Sequence, residues 1–387
     1  MKFDVIVSGA GPGGSKAAEI LAKSGLKTAL VERNANWRKP CGGGLPRHVD
    51  DDFGVPEKIR ENTYYARAFI SADGTKLVLE TGKEPGGCVV DRLVYDAYLR
   101  DTAVDCGATL FDKSTVKDVI FKDGQVVGVK VRTAKGLKEM TADVVIAADG
   151  VSSRIAMRSG LREKWKPDDL AKCAVAFIDG YEGPKYNHFY FFDFMGYAWI
   201  FPMSGKRANV GVGLLSSSKR SVLDLFDWFL RSKHFREMFR QERIVVKQVY
   251  PVPFSSVRGQ HYGNGIMLVG DAGGFVSPVT GEGVYYALWT GKLAAETAIL
   301  AHEREDFSEN TLSAYKRKLD EKGIVEFLNG QLRLRDLIYS NQGRTLNLIL
   351  KAANEDERFK DELRRVLFEG AKPSAEFAQK IMSFVKM

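Results

Sequence analysis

Three stretches of this chain bring together residue types that do chemistry. Gly9-Ala10-Gly11-Pro12-Gly13-Gly14 fits G-x-G-x-x-G. Gly9 permits a tight turn, Gly11 lets backbone approach a pyrophosphate, and Gly14 lets a helix pack closely on a strand. Glu32 follows at the spacing where a carboxylate accepts from ribose hydroxyls. The pattern is that of a dinucleotide-phosphate site, and alone it does not separate a flavin from a nicotinamide. The second stretch is Lys39-Pro40-Cys41-Gly42-Gly43-Gly44-Leu45-Pro46. Its three glycines can pass close to a flat ring that side chains would obstruct, and Cys41 adds a small thiol. The third is Tyr197-Ala198-Trp199-Ile200-Phe201-Pro202, whose aromatics share one face of an extended strand. Such a face fits a packed core as well as the wall of an apolar cavity.

The elements that must position these residues are legible as patterns. Phe3–Ser8 reads as a buried strand, the glycines as its turn, Ser15–Ser24 as a helix ended by Gly25, and Lys27–Glu32 as a second strand. Residues Val89–Cys106 read as a helix after a short lead-in. Thr109–Ala148 alternates as a β-meander with turns at Asp123-Gly124 and Lys135-Gly136. Cys173–Leu215 alternates again as antiparallel strands. The pattern predicts a helix over Val222–Arg240, a strand through Val252, and a buried strand at Gly265–Gly270. A glycine-rich loop and a helix to about Ala301 follow, and the remainder is helical and charged.

The chain has 387 residues, 44% of them hydrophobic and 27% charged, which is ample for more than one packed core. Its net charge of +8 is spread among acids, with no basic run or nucleic-acid signature, which argues against nucleic acid. An anionic membrane surface or a phosphorylated ligand suits that balance. Cys41, Cys88, Cys106 and Cys173 are scattered without C-x-x-C spacing, and the five histidines lack metal-ligand spacing, so no metal is expected. No signal-peptide pattern and no run of about 18 apolar residues is present. A cytoplasmic location is expected, with peripheral contact at the membrane face.

Later segments extend the first motif. Ala148-Asp149-Gly150-Val151-Ser152-Ser153-Arg154 resembles the D-G fingerprint of the p-hydroxybenzoate hydroxylase-like flavoprotein superfamily. Gly270-Asp271-Ala272, with Ser277-Pro278 and Gly281-Glu282-Gly283, resembles its G-D motif, and Asp91-Arg92 resembles the start of its intervening helix. The resemblance implies FAD as cofactor. Asp271 would hold the ribityl chain, the turn through Gly281, Gly283 and Val284 would open a helix toward the ring's polar edge, and Arg92 would contact the cofactor. Gly9, Gly11, Gly13, Gly14, Glu32, Arg33 and Val116 belong to the same implied set, with Cys41, Gly42 and Gly44 near the ring.

P-C-G-G-G-L, Y-x-W-x-F-P and the later Gly211-Val212-Gly213 together resemble the geranylgeranyl reductase family. That resemblance implies saturation of isolated C=C bonds in polyprenyl chains of archaeal-type lipid precursors, chlorophyll-type esters or prenylated quinones. Tyr197, Trp199, Phe201, Pro202, Gly211 and Gly213 would contact this substrate. Cys41 is the candidate catalytic residue, as a proton donor or simply as a small residue in a tight loop. The external reductant, NADPH or reduced ferredoxin (the latter an electron-donor protein), is not written in the residues, because no second G-x-G-x-x-G βαβ unit is evident. FAD-dependent monooxygenases and halogenases are the rival reading. Halogenases carry W-x-W-x-I-P, where this chain has Tyr197 and Phe201. A non-catalytic flavin or lipid carrier is a further alternative.

The expected fold is α/β (α+β overall): a Rossmann-like FAD-binding domain with an inserted antiparallel-sheet substrate domain and a helical C-terminal region. The FAD-binding domain takes residues 1–65, 88–165 and 260–305. The substrate domain takes 66–87 and 166–259, and the helical region 306–387.

Overall fold

The computed structural model describes residues 1–255, 257–368 and 373–386. The chain divides into two compact units. The first comprises Met1–Lys39, Leu93–Leu170 and Val252–Leu332, and the second Pro40–Arg92, Ala171–Pro251 and Arg333–Met387.

The first unit is built on an eight-stranded sheet. Lys2–Ser8 lies at its centre, parallel to Thr28–Val31 on one side and to Gly136–Ala147 on the other. Thr109–Phe111 and Ile266–Leu268 extend the parallel order outward. Strands buried on both faces must be apolar throughout, which is why Val5-Ile6-Val7 and Val144-Val145-Ile146 do not alternate. Thr115–Lys122 and Gln125–Thr133 form the meander, turning at Asp123 and Gly124, both with positive φ (50° and 79°), as a type I′ turn requires. The helix after the glycine turn spans Pro12–Lys23, starting earlier than the apolar spacing predicts. Proline at its first position presets the helical φ, so the glycines Gly13 and Gly14 already lie inside it.

That helix crosses Val284–Glu303 backbone against backbone. A methyl group on Gly291 would lie 2.1 Å from the Gly13 carbonyl oxygen, and one on Gly13 would lie 2.8 Å from that of Ala287.

The second unit carries a seven-stranded sheet. Its order is Phe239–Pro253, Leu170–Tyr181, Arg207–Leu215, Gly196–Pro202, Asn187–Phe191, Ala66–Ile70, Lys76–Glu80. One face packs Ala176, Ile178, Ala198, Ile200, Val210 and Val212 against Phe226 and Phe229 of the helix Val222–Arg231. The alternation that buries these residues sends Tyr197, Trp199 and Phe201 to the opposite face.

Two further sequence expectations differ from the structure. The helix expected over Val222–Arg240 stops at Arg231, because Ser232 caps a new short helix, Lys233–Arg236, accepting from Phe235 N at 3.3 Å. Arg240 lies in the strand that begins at Phe239. The unit boundaries also fall elsewhere. Gly44–Pro46 and Arg60–Tyr64 both pair with Gly87–Val90, so backbone hydrogen bonds tie the glycine loop into the second unit. The C-terminal residues divide between the units. Leu312, Tyr315, Leu319 and Leu328 enter the first unit's core, whereas Lys351 pairs with Asp73 and Asn354 bonds the Lys76 carbonyl in the second.

Candidate functional site

The first unit gathers three glycine turns into a cradle. Gly9 has φ +102°, and a methyl there would lie 2.3 Å from the Ala148 carbonyl oxygen, so only glycine fits. At Gly11 a methyl would meet nothing within 4 Å, so this backbone faces open space at the start of a helix. Glu32 lies across the turn, with Oε2 accepting from Ala10 N at 2.8 Å and Oε1 from Asn34 N at 2.9 Å.

The Gly270–Gly274 turn is braced from three sides. Gly270 N donates to Thr290 Oγ1 (3.0 Å), Arg162 Nε to Ala272 O (3.0 Å) and His261 Nε2 to Gly273 O (3.1 Å). Burial lowers the His261 pKa to about 4, against the pull of that carbonyl, so the ring is neutral at neutral pH. Asp271, 8% exposed, pairs with Lys39 at 2.6 Å. Ser277 Oγ accepts from Val279 N and Thr280 N, which curls the loop through Gly281 (φ +70°) to the helix starting at Val284. The cap of that helix, Gly283, offers no side-chain acceptor, so no capping side chain stands between the helix start and a ligand.

Asp149 accepts from Arg154 N at 3.2 Å through Oδ2, but its Oδ1 is buried without a partner. Burial raises the Asp149 pKa, with the Ser153 hydrogen bond opposing. Two uncapped helix starts, an open glycine, a ribose-spaced carboxylate and an orphaned buried oxygen fit a large dinucleotide rich in hydroxyls and phosphate.

Not every expected residue points the same way. Gly13 makes room for the crossing helix, Arg33 is exposed and stacks over Trp37 at 4.8 Å, and the Val116 side chain is buried in the meander's core. Arg92, 3% exposed, opens the helix Arg92–Asp105. It belongs to the second unit, as do Cys41, Gly42 and Gly44.

In the second unit the strand registers build a wall in rows. Cys173, Gly213, Tyr197 and Phe191 form one row. Val175, Gly211, Trp199 and Phe189 form the next, and Phe177, Asn209 and Phe201 the third. The rings touch along and across strands, with Phe189–Phe201 at 5.2 Å, Tyr197–Trp199 at 5.8 Å and Phe189–Tyr197 at 6.1 Å between centroids. The two glycines differ. A methyl on Gly211 would lie 2.1 Å from the Trp199 ring, which fills that gap, whereas one on Gly213 would meet only Cys173 Sγ, at 3.2 Å, and the Lys172 carbonyl, at 4.0 Å. Pro202 closes the strand opposite Ala208. Burial, then the neighbouring Cys41, pushes the Cys173 thiol up to about 12. Burial likewise holds the Tyr197 phenol well above its usual range, with Cys173, Tyr339 and Cys41 adding to the effect. Tyr339 donates to the Gly196 carbonyl at 3.1 Å.

The Cys41 loop lies on this wall. A methyl on Gly42 would be 2.8 Å from the Phe201 ring, and one on Gly44 3.1 Å from it. Asn209 bonds both the loop and Trp199. Sequence reasoning missed Asn209, Cys173, Phe189, Arg162 and His261. The signal for Asn209 was present as one amide in the apolar run Ala208–Leu215, but its meaning depends on cross-strand register. Among the described residues, no three His, Cys, Asp or Glu side chains gather as a metal-ligand set.

A cradle of this kind in a mixed α/β chain defines an FAD-binding oxidoreductase, and the FAD-binding domain family matches residues 2–321. The digeranylgeranylglycerophospholipid reductase of Methanocaldococcus jannaschii is 34% identical over 363 residues, 91% of each chain. A second protein of that name, from Methanopyrus kandleri, is 34% identical over 371 residues, 92% of each chain. Among solved structures, a geranylgeranyl bacteriochlorophyll reductase-like protein from Thermoplasma acidophilum matches with a TM-score of 0.87 at 25% identity, covering 99% of each chain. A flavin-dependent brominase shares the fold, with a TM-score of 0.76 at 20% identity and all of each chain covered. The chain belongs to the geranylgeranyl reductase family of FAD-dependent flavoproteins.

Proposed function

We propose that this protein saturates isolated C=C bonds in the geranylgeranyl chains of a glycerophospholipid. The observation that carries the reading is the wall: three registered rows of rings and small residues without a charged side chain among them. An unactivated alkene offers no polar handle, so binding must come from apolar contact and alignment. The names of the relatives favour a glycerophospholipid over a chlorophyll-type ester or a quinone.

Gly9, Gly11, Gly14, Glu32, Asp149, Asp271, Gly281, Gly283 and Val284 would hold FAD, which in its reduced form would supply a hydride to the alkene; Arg92 is the contact that the family resemblance implies. Gly13, Arg33 and Val116 are contacts that the family resemblance implies, although Gly13 packs on Ala287, Arg33 stacks on Trp37 and the Val116 side chain lies in the meander's core. Tyr197, Trp199, Phe201, Pro202, Gly211 and Gly213 hold the isoprenoid and exclude water. Ring faces also stabilise positive charge developing on the alkene. Cys41, on the glycine loop with Gly42 and Gly44, supplies the proton for the second carbon. The external reductant is NADPH or reduced ferredoxin. A lipid substrate calls for peripheral contact with a membrane, and no helix among the described residues is long and apolar enough to cross one.

The test is anaerobic incubation of the reduced holoprotein with digeranylgeranyl glycerophospholipid, read by mass spectrometry. Gains of one H2 per double bond are expected. Turnover that requires oxygen and inserts oxygen or halide would overturn the reading in favour of a monooxygenase or halogenase.

A further inference from the structure

We infer that Asn209 is a positioning residue that pins the Cys41 loop to the aromatic wall through one shared side-chain amide. Its catalytic consequence rests on the function proposed above. The tether itself rests on geometry alone.

Asn209 is 1% exposed and lies in the wall row between Phe177 and Phe201. Its Oδ1 accepts from Trp199 Nε1 at 2.9 Å, and its Nδ2 donates to the Cys41 carbonyl at 2.7 Å. An indole N–H only donates and a carbonyl only accepts, so the amide has a single orientation that satisfies both. An aliphatic side chain would fill the same place without burying an amide. The polar group therefore serves its two partners.

The loop needs such an anchor. Gly42 and Gly44 lie flat on Phe201 with no side chain of their own to hold them there. Downstream, the Gly43 carbonyl accepts from Val90 N at 2.9 Å, and Gly43 has φ +73°. Upstream, the Cys41 carbonyl is held by Asn209. Asn209 thus holds the Cys41 backbone against the wall, beside the Gly43 N–H that donates to Cys41 Sγ at 3.4 Å, and orients the Trp199 ring through the same amide. Loop and ring share one anchor. Alkene reduction needs the proton donor and the apolar wall in fixed register, and Asn209 supplies that register.

The experiment is iodoacetamide labelling of the purified holoprotein, quantified at each cysteine by peptide mass spectrometry. Cys88, 2% exposed in the core, reports global opening. In Asn209→Leu, Cys41 is expected to label about tenfold faster than wild type while Cys88 stays as slow as in wild type. Trp199→Phe removes the indole bond and part of the ring that fills the gap at Gly211 but leaves the Asn209–Cys41 bond in place, so Cys41 labelling is expected to stay within about twofold of wild type. If Asn209→Leu also opens Cys88, Asn209→Asp at pH 8 replaces it. Its carboxylate still accepts from the indole but cannot donate to the Cys41 carbonyl, so a several-fold rise at Cys41 is expected. In lipid turnover, the Asn209 variants should lower kcat more than they raise KM, with FAD content unchanged. Cys41 labelling that is unchanged in the Asn209 variants, or equally raised in Trp199→Phe, overturns the inference. If wild type reduces no lipid but the labelling difference holds, the proposed function fails and the tether stands.

Discussion

The cradle of the first unit and the wall of the second are built from opposite parts of the chain. In the cradle the working groups are amides, carbonyls and bare α-carbons. A methyl at Gly9 would meet the Ala148 carbonyl, and the brace around Gly270–Gly274 ends entirely on backbone atoms. In the wall the working groups are side chains, most of them rings, and the Trp199 ring covers the backbone at Gly211 but not at Gly213. The cradle is therefore damaged by adding atoms, and the wall by removing or displacing them. A polar ligand with many fixed acceptors suits the first arrangement. An apolar chain without directional groups suits the second.

Substitutions should separate the two regions. The largest effect is expected from Gly11→Val, which places atoms in the open space over the first helix start. FAD affinity should fall by about 100-fold or more while the apoprotein Tm stays near wild type, measured by flavin fluorescence titration and calorimetry. Retention of wild-type affinity would break the assignment of that space to the diphosphate. Gly211→Ala drives a methyl into the Trp199 ring and should cost about 1–3 kcal/mol of stability by denaturant titration. Turnover should drop while FAD stays bound. Gly213→Ala meets only the Cys173 thiol and the more distant Lys172 carbonyl, so it should fold normally and lower kcat/KM about tenfold, with a shifted distribution of partly saturated products. Equal effects at the two glycines would contradict the difference drawn between the filled gap and the open one.

The last effect concerns acid. His261 braces the cradle and His188 lies buried beneath the wall's sheet, where burial, then Lys76, lowers its pKa to about 3. Both rings are neutral when folded and take up a proton near pH 6.5 when unfolded. Their contribution is complete above about 6.5 and is lost as pH falls, toward about 4 for His261 and about 3 for His188. At His261 the loss is at most about 3 kcal/mol. His261→Gln should flatten the pH 4–6.5 limb of the stability curve by about one proton while leaving the limb below pH 4 to His188.

The strand–turn–helix at Gly9–Gly14 was readable in the sequence because everything that defines it lies within a few residues. The same holds for the alternation that aims Tyr197, Trp199 and Phe201 to one face. Asn209 and Cys173 were not readable, because their meaning comes from partners on other strands, set by register rather than by local pattern. The unit boundary at Pro40 was hidden for a similar reason, since only pairing with Gly87–Val90 assigns the glycine loop. The break at Ser232 was local, but the apolar spacing on either side outweighed one capping serine.

The crossing of Pro12–Lys23 and Val284–Glu303 also bears on how this protein can be made more heat-resistant. Glycine inside a helix costs about 1 kcal/mol relative to alanine, and replacing it is a common stabilising change. Gly13, Gly14 and Gly291 are closed to that change, since the added methyl would strike a carbonyl oxygen at 2.8, 1.9 and 2.1 Å. Gly330, inside Ile324–Ile338 with nothing within 4 Å of the added methyl, is open to it.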